Sequence, residues 1–475
     1  MHSISHIENL SMLFSEVYGH SHLSIVQLPG SGSARIYYRI ESQQLSCIGT
    51  FNDDIKENEA FIYLTEHLYQ RDIAVPRVLG VSNCKKYYLQ SDLGTLSLYD
   101  KITDANGDNL EIQELIGQAI SNLARFNILG FDGIDVSKLY PVSHLDIKSV
   151  MWDLYYFKYC FLKPSAVTFR ESELEYVFDY LAEKVLHGDN QFLQFRDFQS
   201  RNIMILANKP YLIDYQSARV GSGLYDIASF LYQAKANLSD SSRQQFLMQY
   251  LDELSKYRMI SRSEMERQFP YMAIFRILQT LGTYGFRGIF ERKTHFIQSL
   301  PLALQNLGNL LDKVDDNRLR YLSQLNKELL NLYQVEQSED FEGLTVQVYS
   351  FSIKSGYPPI NPEHGGGFVF DCRYLPNPGQ LDEYKILTGC DEPVINYLNS
   401  VDEVKSFCDN AFSIVKSAID KYLSRNFKHL AIGFGCTGGQ HRSVFCAEHI
   451  VKQLKSTYGD TRLRILVKHV ELEKR

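Results

Sequence analysis

Three polar residues stand at a spacing that suits phosphoryl transfer. Asp197 lies in Phe195-Arg196-Asp197-Phe198-Gln199-Ser200-Arg201-Asn202, and Asp214 follows in Ile213-Asp214-Tyr215, twelve residues after Asn202. Moving the terminal phosphoryl group of ATP onto a hydroxyl needs a carboxylate near the acceptor proton and oxygen ligands for Mg²⁺ on the phosphates. A carboxylate five residues before an Asn, on a loop entering a hairpin, can set both groups in one cleft, and an Asp beyond the hairpin completes the metal site. Asp197 is therefore the candidate catalytic residue, with Asn202 and Asp214 as candidate Mg²⁺ ligands. Upstream, Pro29-Gly30-Ser31-Gly32-Ser33-Ala34-Arg35 separates two β-rich segments. Its small residues let backbone N–H groups approach phosphates, so Gly30, Ser31, Gly32 and Ser33 are expected at the nucleotide. Read alone, the same loop is equally a hairpin turn.

A second constellation lies near the other end of the chain. The apolar run Leu430–Phe434 leads into Gly435-Cys436-Thr437-Gly438-Gly439-Gln440-His441-Arg442-Ser443 and then a helix. A glycine-rich loop between a strand and a helix N-terminus aims backbone N–H groups and the helix dipole at one point, which suits an oxyanion such as a phosphate ester. Thr437, His441, Arg442 and Ser443 add side-chain donors. The same stretch fits C-x5-R-S, in which a Cys thiolate attacks phosphorus and an Arg clamps the oxygens. Cys436, Arg442 and Ser443 match that spacing, which keeps a phosphatase reading open.

These groups must be positioned by two different kinds of structure. The first hundred residues read as strands with one helix: Ser24–Leu28, Arg35–Ile40, Leu45–Phe51 and Tyr87–Gln90 as strands, Glu57–Tyr69 as the helix. From about residue 110 the pattern is helical. Ile112, Leu115, Ile116, Ala119, Ile120 and Leu123 form a stripe, and further helices are expected at about 146–161, 172–187, 224–236, 241–257, 270–290 and 315–333. Ile203–Leu206 and Tyr211–Ile213 read as a hairpin turning at Asn208-Lys209-Pro210. The polar, acidic stretch Gln334–Gly343 marks a linker, placed at 336–343. Beyond it strands (Leu344–Ile353, Gly367–Phe370, His429–Phe434, Leu463–Val470) alternate with helices (Val401–Leu423, Ser443–Tyr458), which predicts a compact three-layer α/β domain.

Residues 1 to about 330 resemble the aminoglycoside phosphotransferase family, which shares the protein-kinase fold. The resemblance rests on Arg196-Asp197…Asn202, Ile213-Asp214-Tyr215-Gln216-Ser217-Ala218 and Tyr225-Asp226-Ile227-Ala228. The D-[FY]-Q wording and Ser91-Asp92-Leu93-Gly94 resemble one branch in particular, the anomeric kinases of cell-wall sugar recycling. The resemblance implies an α+β bilobal protein-kinase-like fold over 1–335, with an N-lobe of about 1–92 and a C-lobe of about 93–335. It implies ATP and Mg²⁺ as cofactors, Gln90 and Asp92 at the adenine, and an amino sugar such as N-acetylmuramate or N-acetylglucosamine as acceptor, phosphorylated at its anomeric hydroxyl. Asp226 would be a structural anchor of the catalytic loop. The acceptor is expected along Pro141–Phe161 and the helices at 270–292, with Asp146, Asp153, Tyr155 and Tyr156 as possible contacts. The chain departs from the family in three ways. Phe195 stands where His is usual, so packing must hold the loop. Ser217 stands where Asp is frequent. The strand Leu45–Phe51 has no Lys, which leaves the phosphate-facing cation open among Arg35, Arg39 and Lys56.

Residues 344–475 resemble the RapZ C-terminal domain. The matching stretches are Ser350–Gly356, Phe370–Pro378, Leu387–Pro393 and Gly435–Val444. The resemblance implies a phosphosugar or phosphate site formed by Arg373, Asn377, Thr437, Gly438, Gly439, His441 and Arg442, with glucosamine-6-phosphate as the type of ligand. It also raises RNA as a partner. No G-x4-G-K-[ST] occurs, so the P-loop domain found in RapZ itself has no counterpart here.

Composition narrows the classes. The chain has 475 residues, 44% hydrophobic and 22% charged, with a net charge of −7. That excludes a disordered, collagenous or coiled-coil chain. Residues 342–475 carry 16 basic and 15 acidic side chains, a near balance that gives RNA binding weak electrostatic support. The eight cysteines form no C-x-x-C pair and read as reduced thiols. MHSISHIENL lacks the order of a signal peptide, and no apolar run approaches about 18 residues, so a cytoplasmic protein without a membrane partner is expected. A non-catalytic sensing or RNA-binding adaptor and a kinase–phosphatase using Cys436 remain the alternatives.

Overall fold

The structure is a computed structural model and describes residues 2–30, 35–104, 110–165, 167–234, 238–291, 293–333, 341, 343–356, 367–459 and 462–472. Ser31, Gly32 and Ser33, and most of the expected linker, lie outside the described residues. The chain divides into two compact units. The first comprises Met1–Asp153, Tyr176–Leu278 and Asn309–Arg318; the second comprises Leu154–Glu175, Gln279–Gly308 and Leu319–Arg475.

The first unit starts with helix α1 (His2–Tyr18), where the sequence pattern predicts no helix. Leu10, Leu13 and Phe14 follow helical spacing and are buried against Tyr38, Ile40, Cys47, Tyr87 and Leu89. These belong to an antiparallel sheet of strands β1 (Ser24–Gln27), β2 (Ile36–Glu41), β3 (Ser46–Phe51), β4 (Val78–Val81) and β5 (Tyr87–Ser91), in the order β1-β2-β3-β5-β4. Helix α2 (Ile55–Tyr69) interrupts it. Asp54 caps α2 by accepting from the Glu57 N–H at 3.1 Å, which fixes the helix start and hence the placement of Glu57.

Helices α3 (Leu98–Asp104), α4 (Leu110–Leu129), α5 (Ile147–Phe157) and α6 (Glu171–Leu186) follow. The expected stripe on α4 is buried from Ile112 to Leu123. Short strands β6 (Phe192–Gln194), β7 (Ile203–Leu206), β8 (Lys209–Leu212) and β9 (Arg219–Gly221) form two two-stranded ladders, β6 with β9 and β7 with β8. The β7–β8 turn is Ala207-Asn208, not Asn208-Lys209-Pro210. Both turn residues are left-handed (φ 50° and 57°), as a two-residue hairpin turn requires, and Leu206 pairs directly with Lys209. Pro210 sits inside β8, opposite Ile205.

Helices α7 (Leu224–Leu231), α8 (Asp240–Ser255), α9 (Arg262–Gly285), α10 (Thr294–Ile297), α11 (Leu300–Val314) and α12 (Arg320–Tyr333) complete the helical part. The expected helix 224–236 ends at Leu231, and α11 was not foreseen despite its stripe of Leu300, Ala303, Leu304, Leu307, Leu310 and Leu311.

Within the second unit, residues from Leu344 onward form an α/β fold. Strands β10 (Leu344–Ser352), β11 (Gly367–Asp371), β12 (His429–Cys436) and β13 (Leu463–His469) make a wholly parallel sheet in the order β11-β12-β10-β13. Helices α13 (Glu392–Asn399), α14 (Asp402–Ser424) and α15 (Arg442–Tyr458) connect them. The core gathers Val346, Val348, Ile432 and Phe434 with Val404, Val415, Ile450 and Leu454. In such sheets ligands bind beyond the carboxyl ends of the strands, where neighbouring connections diverge. The loop after β12 lies at that edge. Among the described residues, no helix is long and apolar enough to cross a membrane.

Candidate functional site

The loop carrying Asp197 is held from behind by a buried carboxylate. Asp226, at the start of α7, accepts from the Phe195 N–H (2.7 Å), the Arg196 N–H (2.8 Å) and Asn127 Nδ2 (2.8 Å). Burial pushes its carboxyl up to about 7, and these three donors pull against that. Asn127 is itself fixed, since its Oδ1 accepts from Tyr250 OH at 2.7 Å and its Nδ2 also reaches the Leu193 carbonyl. Arg196 takes a left-handed φ of 78°, a strained conformation for a non-glycine residue that the Asp226 clasp stabilises. The Phe195 ring is fully buried among Phe126, Phe198 and Tyr215, with centroids 5.1, 5.7 and 6.1 Å away. Aromatic packing thus occupies the place of the usual His.

Asp197 and Asn202 are joined directly, because Asn202 Nδ2 donates to the Asp197 carbonyl at 2.9 Å. This turns the amide oxygen away from that bond and leaves it for a cation. The Ile213 N–H donates to the Asn202 carbonyl at 3.0 Å, which brings Asp214 to the same end of the hairpin. Asp214 has φ 69°; its Oδ1 accepts from Gln216 Nε2 (3.0 Å) and Arg35 Nη1 (3.4 Å). An amide oxygen and a carboxylate are the hard donors Mg²⁺ takes, and a site with two protein ligands suits an ion that keeps water and phosphate oxygens. Among the described residues no group of three or more His, Cys, Asp or Glu could hold a metal alone. The Asp197 carboxylate is ion-paired with Arg276 (3.3 Å) and Arg201 (3.6 Å).

Behind Asp197 lies a polar cluster with unspent hydrogen-bonding capacity. Arg219 Nε donates to Gln194 Oε1 at 2.7 Å. Burial pushes the Arg219 guanidinium down to about 10, and the neighbouring Arg196 charge adds to that. Asp153 is raised by burial, with Arg196, Arg219 and Arg276 pulling it back. Asp153 Oδ2, Arg196 Nε, Arg219 Nη2 and Gln194 Nε2 are shut off from solvent and make no hydrogen bond. Buried polar atoms are rarely left so in a protein without a partner. Asp146, by contrast, is spent on α5, where its Oδ1 accepts from the Ser149 N–H at 2.8 Å. Tyr155 donates to Glu175 at 3.0 Å.

Of the residues expected at ATP, Gln90 lies half-buried at the end of β5, its Nε2 3.4 Å from Thr50 Oγ1. The Asp92 carboxylate is occupied by Arg39 (2.7 and 3.0 Å), Ser46 (2.6 Å) and the Gly94 N–H (2.9 Å). Burial raises its pKa, and these donors outweigh burial and hold it below the usual range. Its side chain therefore orders the turn after β5. Gly30 is described; its three successors are not.

In the second unit, the loop after β12 is built around close backbone approach. Gly439 has φ 65°, and a Cβ there would lie 2.7 Å from the Ser352 nitrogen, so only glycine fits. Ser352 Oγ donates to the Thr437 carbonyl at 2.8 Å. Thr437 and Gly438 are exposed at the mouth of the loop. His441 and Arg442 are buried. His441 Nε2 donates to the Tyr384 carbonyl (2.8 Å), and Arg442 Nη1 donates to the carbonyls of Arg373 (2.8 Å) and Leu375 (3.0 Å). Arg442 thus ties the β12 loop to the loop after β11. Arg373 forks onto Asp371 (2.6–3.0 Å). Asn377 and His441 both flank Gly379, where a Cβ would lie 3.2 Å from the His441 ring and 3.5 Å from Asn377 Oδ1. Cys436 is buried at the end of β12, 3.2 Å from Ser443 Oγ, while Arg442 Nη1 is bound to carbonyls and its buried Nε makes no hydrogen bond.

Comparison with known proteins finds two separate matching regions. Residues 24–260 match the phosphotransferase enzyme family, and residues 344–473 match the RapZ C-terminal domain. The chain carries one domain of each family. The first has the α+β kinase-like fold and the second the parallel-sheet fold described above. A nucleotide-binding protein of Clostridium acetobutylicum is 33% identical over 177 residues, covering 37% of this chain and 57% of the relative. One of Desulforudis audaxviator is 34% identical over 176 residues, covering 37% and 56%. The chain thus spans just over half the length of these curated relatives. Among solved structures, choline kinase LicA from Streptococcus pneumoniae is similar over 65% of this chain and 100% of its own, with 15% identity and a TM-score of 0.45. A putative aminoglycoside phosphotransferase from Ralstonia eutropha covers 69% and 98%, with 11% identity and a TM-score of 0.48.

Proposed function

We propose that the phosphotransferase domain transfers the γ-phosphoryl group of ATP to a hydroxyl of an amino sugar, the anomeric hydroxyl of N-acetylmuramate or N-acetylglucosamine being the best candidate. The observation that carries this reading is the union of Asp197, Asn202 and Asp214 about one hairpin, with the loop clasped by Asp226. Asp197 takes the proton of the sugar hydroxyl as that hydroxyl's oxygen bonds to phosphorus, and the ADP oxygen leaves with the electron pair of the broken bond. Arg276 and Arg201 fix the Asp197 carboxylate and restrain its orientation. Asn202 Oδ1 and Asp214 would hold Mg²⁺, which when bound neutralises charge on the phosphates. Asp153 and Arg219, with unspent polar atoms, offer an acceptor carboxylate and guanidinium contacts. The RapZ C-terminal domain would bind a phosphosugar such as glucosamine-6-phosphate on the Thr437–Gly439 loop, with Arg373, Asn377, His441 and Arg442 shaping it, and report pathway output to the kinase.

A screen of free amino sugars with ATP tests the activity, with product analysis separating C1 from C6. Turnover in the parent that is lost in Asp197→Ala excludes a purely non-catalytic adaptor. If millimolar glucosamine-6-phosphate shifts neither melting temperature nor rate, the regulatory role fails.

A further inference from the structure

The strand that ordinarily supplies a phosphate-facing Lys has none here, and two of the three nearby cations are unsuited to replace it. Arg39 is held by Asp92 and by the Gly94 carbonyl at 2.9 Å. Lys56 is exposed in the first turn of α2. Arg35 is different. It stands between the glycine–serine loop and β2, and its side chain is only 2% exposed. Nη2 lies 2.7 Å from Glu57 Oε1 on α2, and Nη1 lies 3.4 Å from Asp214 Oδ1. Glu57 is in turn fixed by Asn52 Nδ2 at 2.7 Å. Arg35 Nε is buried and makes no hydrogen bond.

We infer that Arg35 is the phosphate-binding cation of this domain, held in place by Glu57 and contacting the phosphate oxygens beside the Asp214 metal site. The assignment rests on the ATP-dependent reading above. One guanidinium faces two carboxylates, so the pocket keeps it charged, while its unspent N–H remains for an incoming anion. The guanidinium presents that N–H in a fixed plane, which an ammonium on the neighbouring strand does not do. Glu57 is a positioning residue: it acts on phosphate only through Arg35. The competing explanation is a structural bridge between β2 and α2, indifferent to nucleotide.

Equilibrium binding of ATP and of adenosine to the full chain with Mg²⁺ separates the two. Arg35→Gln is expected to weaken ATP about 10- to 100-fold, the range of one charge-assisted hydrogen bond, with adenosine within about twofold. Arg35→Lys should recover part of the loss, and Glu57→Gln, which preserves shape, should weaken ATP without affecting adenosine. Equal weakening of ATP and adenosine in the Arg35→Lys and Glu57→Gln proteins, or unchanged ATP affinity in Arg35→Gln, overturns the assignment alone. A parent that binds ATP no better than adenosine overturns the kinase reading, and the assignment with it.

Discussion

Phe195 gives the most demanding test of how the catalytic loop is held. Its ring is fully enclosed by Phe126, Phe198 and Tyr215, while its N–H is bound by Asp226. Truncation in Phe195→Ala removes the ring from three aromatic neighbours and leaves a cavity, a change that costs about 3–5 kcal/mol. Domains of this size lose about 2–4 °C per kcal/mol, so the melting transition of the first unit should fall by roughly 6–20 °C. Phe195→Leu, which refills most of the volume, should cost under about 2 kcal/mol. Phe195→His restores the residue usual in the family but buries ring nitrogens in an apolar cage, each unsatisfied nitrogen costing about 1–3 kcal/mol. It should therefore destabilise and not improve turnover. The assay is thermal unfolding of the full chain by circular dichroism, paired with turnover. A Phe195→Ala protein that melts within 2 °C of the parent, or a Phe195→His protein that gains stability, would refute the packing argument.

Other consequences are as direct. Asp197→Asn should lower turnover by about 100- to 10,000-fold while ATP affinity stays within a few-fold, as expected when a proton acceptor is lost; calorimetry and initial rates check this. Asp153→Asn should raise the acceptor KM about tenfold with little change in the KM for ATP, measured in steady-state kinetics. Asp316 accepts from Tyr180, Tyr271 and Arg318. Burial raises its pKa but these donors outweigh it, taking the carboxyl down to about 2. Its stabilisation is present above the ordinary value near 4 and lost as pH falls toward 2. Asp316→Asn should therefore melt lower than the parent at pH 7, with the gap closing between pH 4 and pH 2 in a melting series. Gly439→Ala forces a side chain into a left-handed turn against the Ser352 backbone, so the C-terminal domain should lose about 1–3 kcal/mol and its protection by added phosphosugar, read by thermal shift.

Both candidate sites were legible because their key residues are contiguous or nearly so. The run from Phe195 to Asp214 is one loop and hairpin, and Gly435–Ser443 is one turn onto a helix. What the sequence hid is built from distant partners. The Asp226 clasp depends on Asn127, ninety-nine positions away, and the Arg35 contacts join Glu57 to Asp214, 179 positions from Arg35. Two departures had local causes. Helix α1 has its apolar residues at helical spacing, but its setting before several strands concealed it. The hairpin turn shifted because two left-handed residues suffice, and Lys209-Pro210 then begin the strand. Arg442 reads as an anion donor from its place at a helix start; that its Nη1 also ties the Arg373 and Leu375 carbonyls is a contact only the fold supplies.

Phosphorylation of an amino sugar at the Asp197 hairpin is the step on which everything else depends. The most direct measurement is product analysis after incubating the full chain with ATP, Mg²⁺ and N-acetylmuramate or N-acetylglucosamine, by phosphorus NMR. A 1-phosphate is expected to form with the parent and not with Asp197→Ala. No sugar phosphate with the parent, or equal amounts with both proteins, would contradict it.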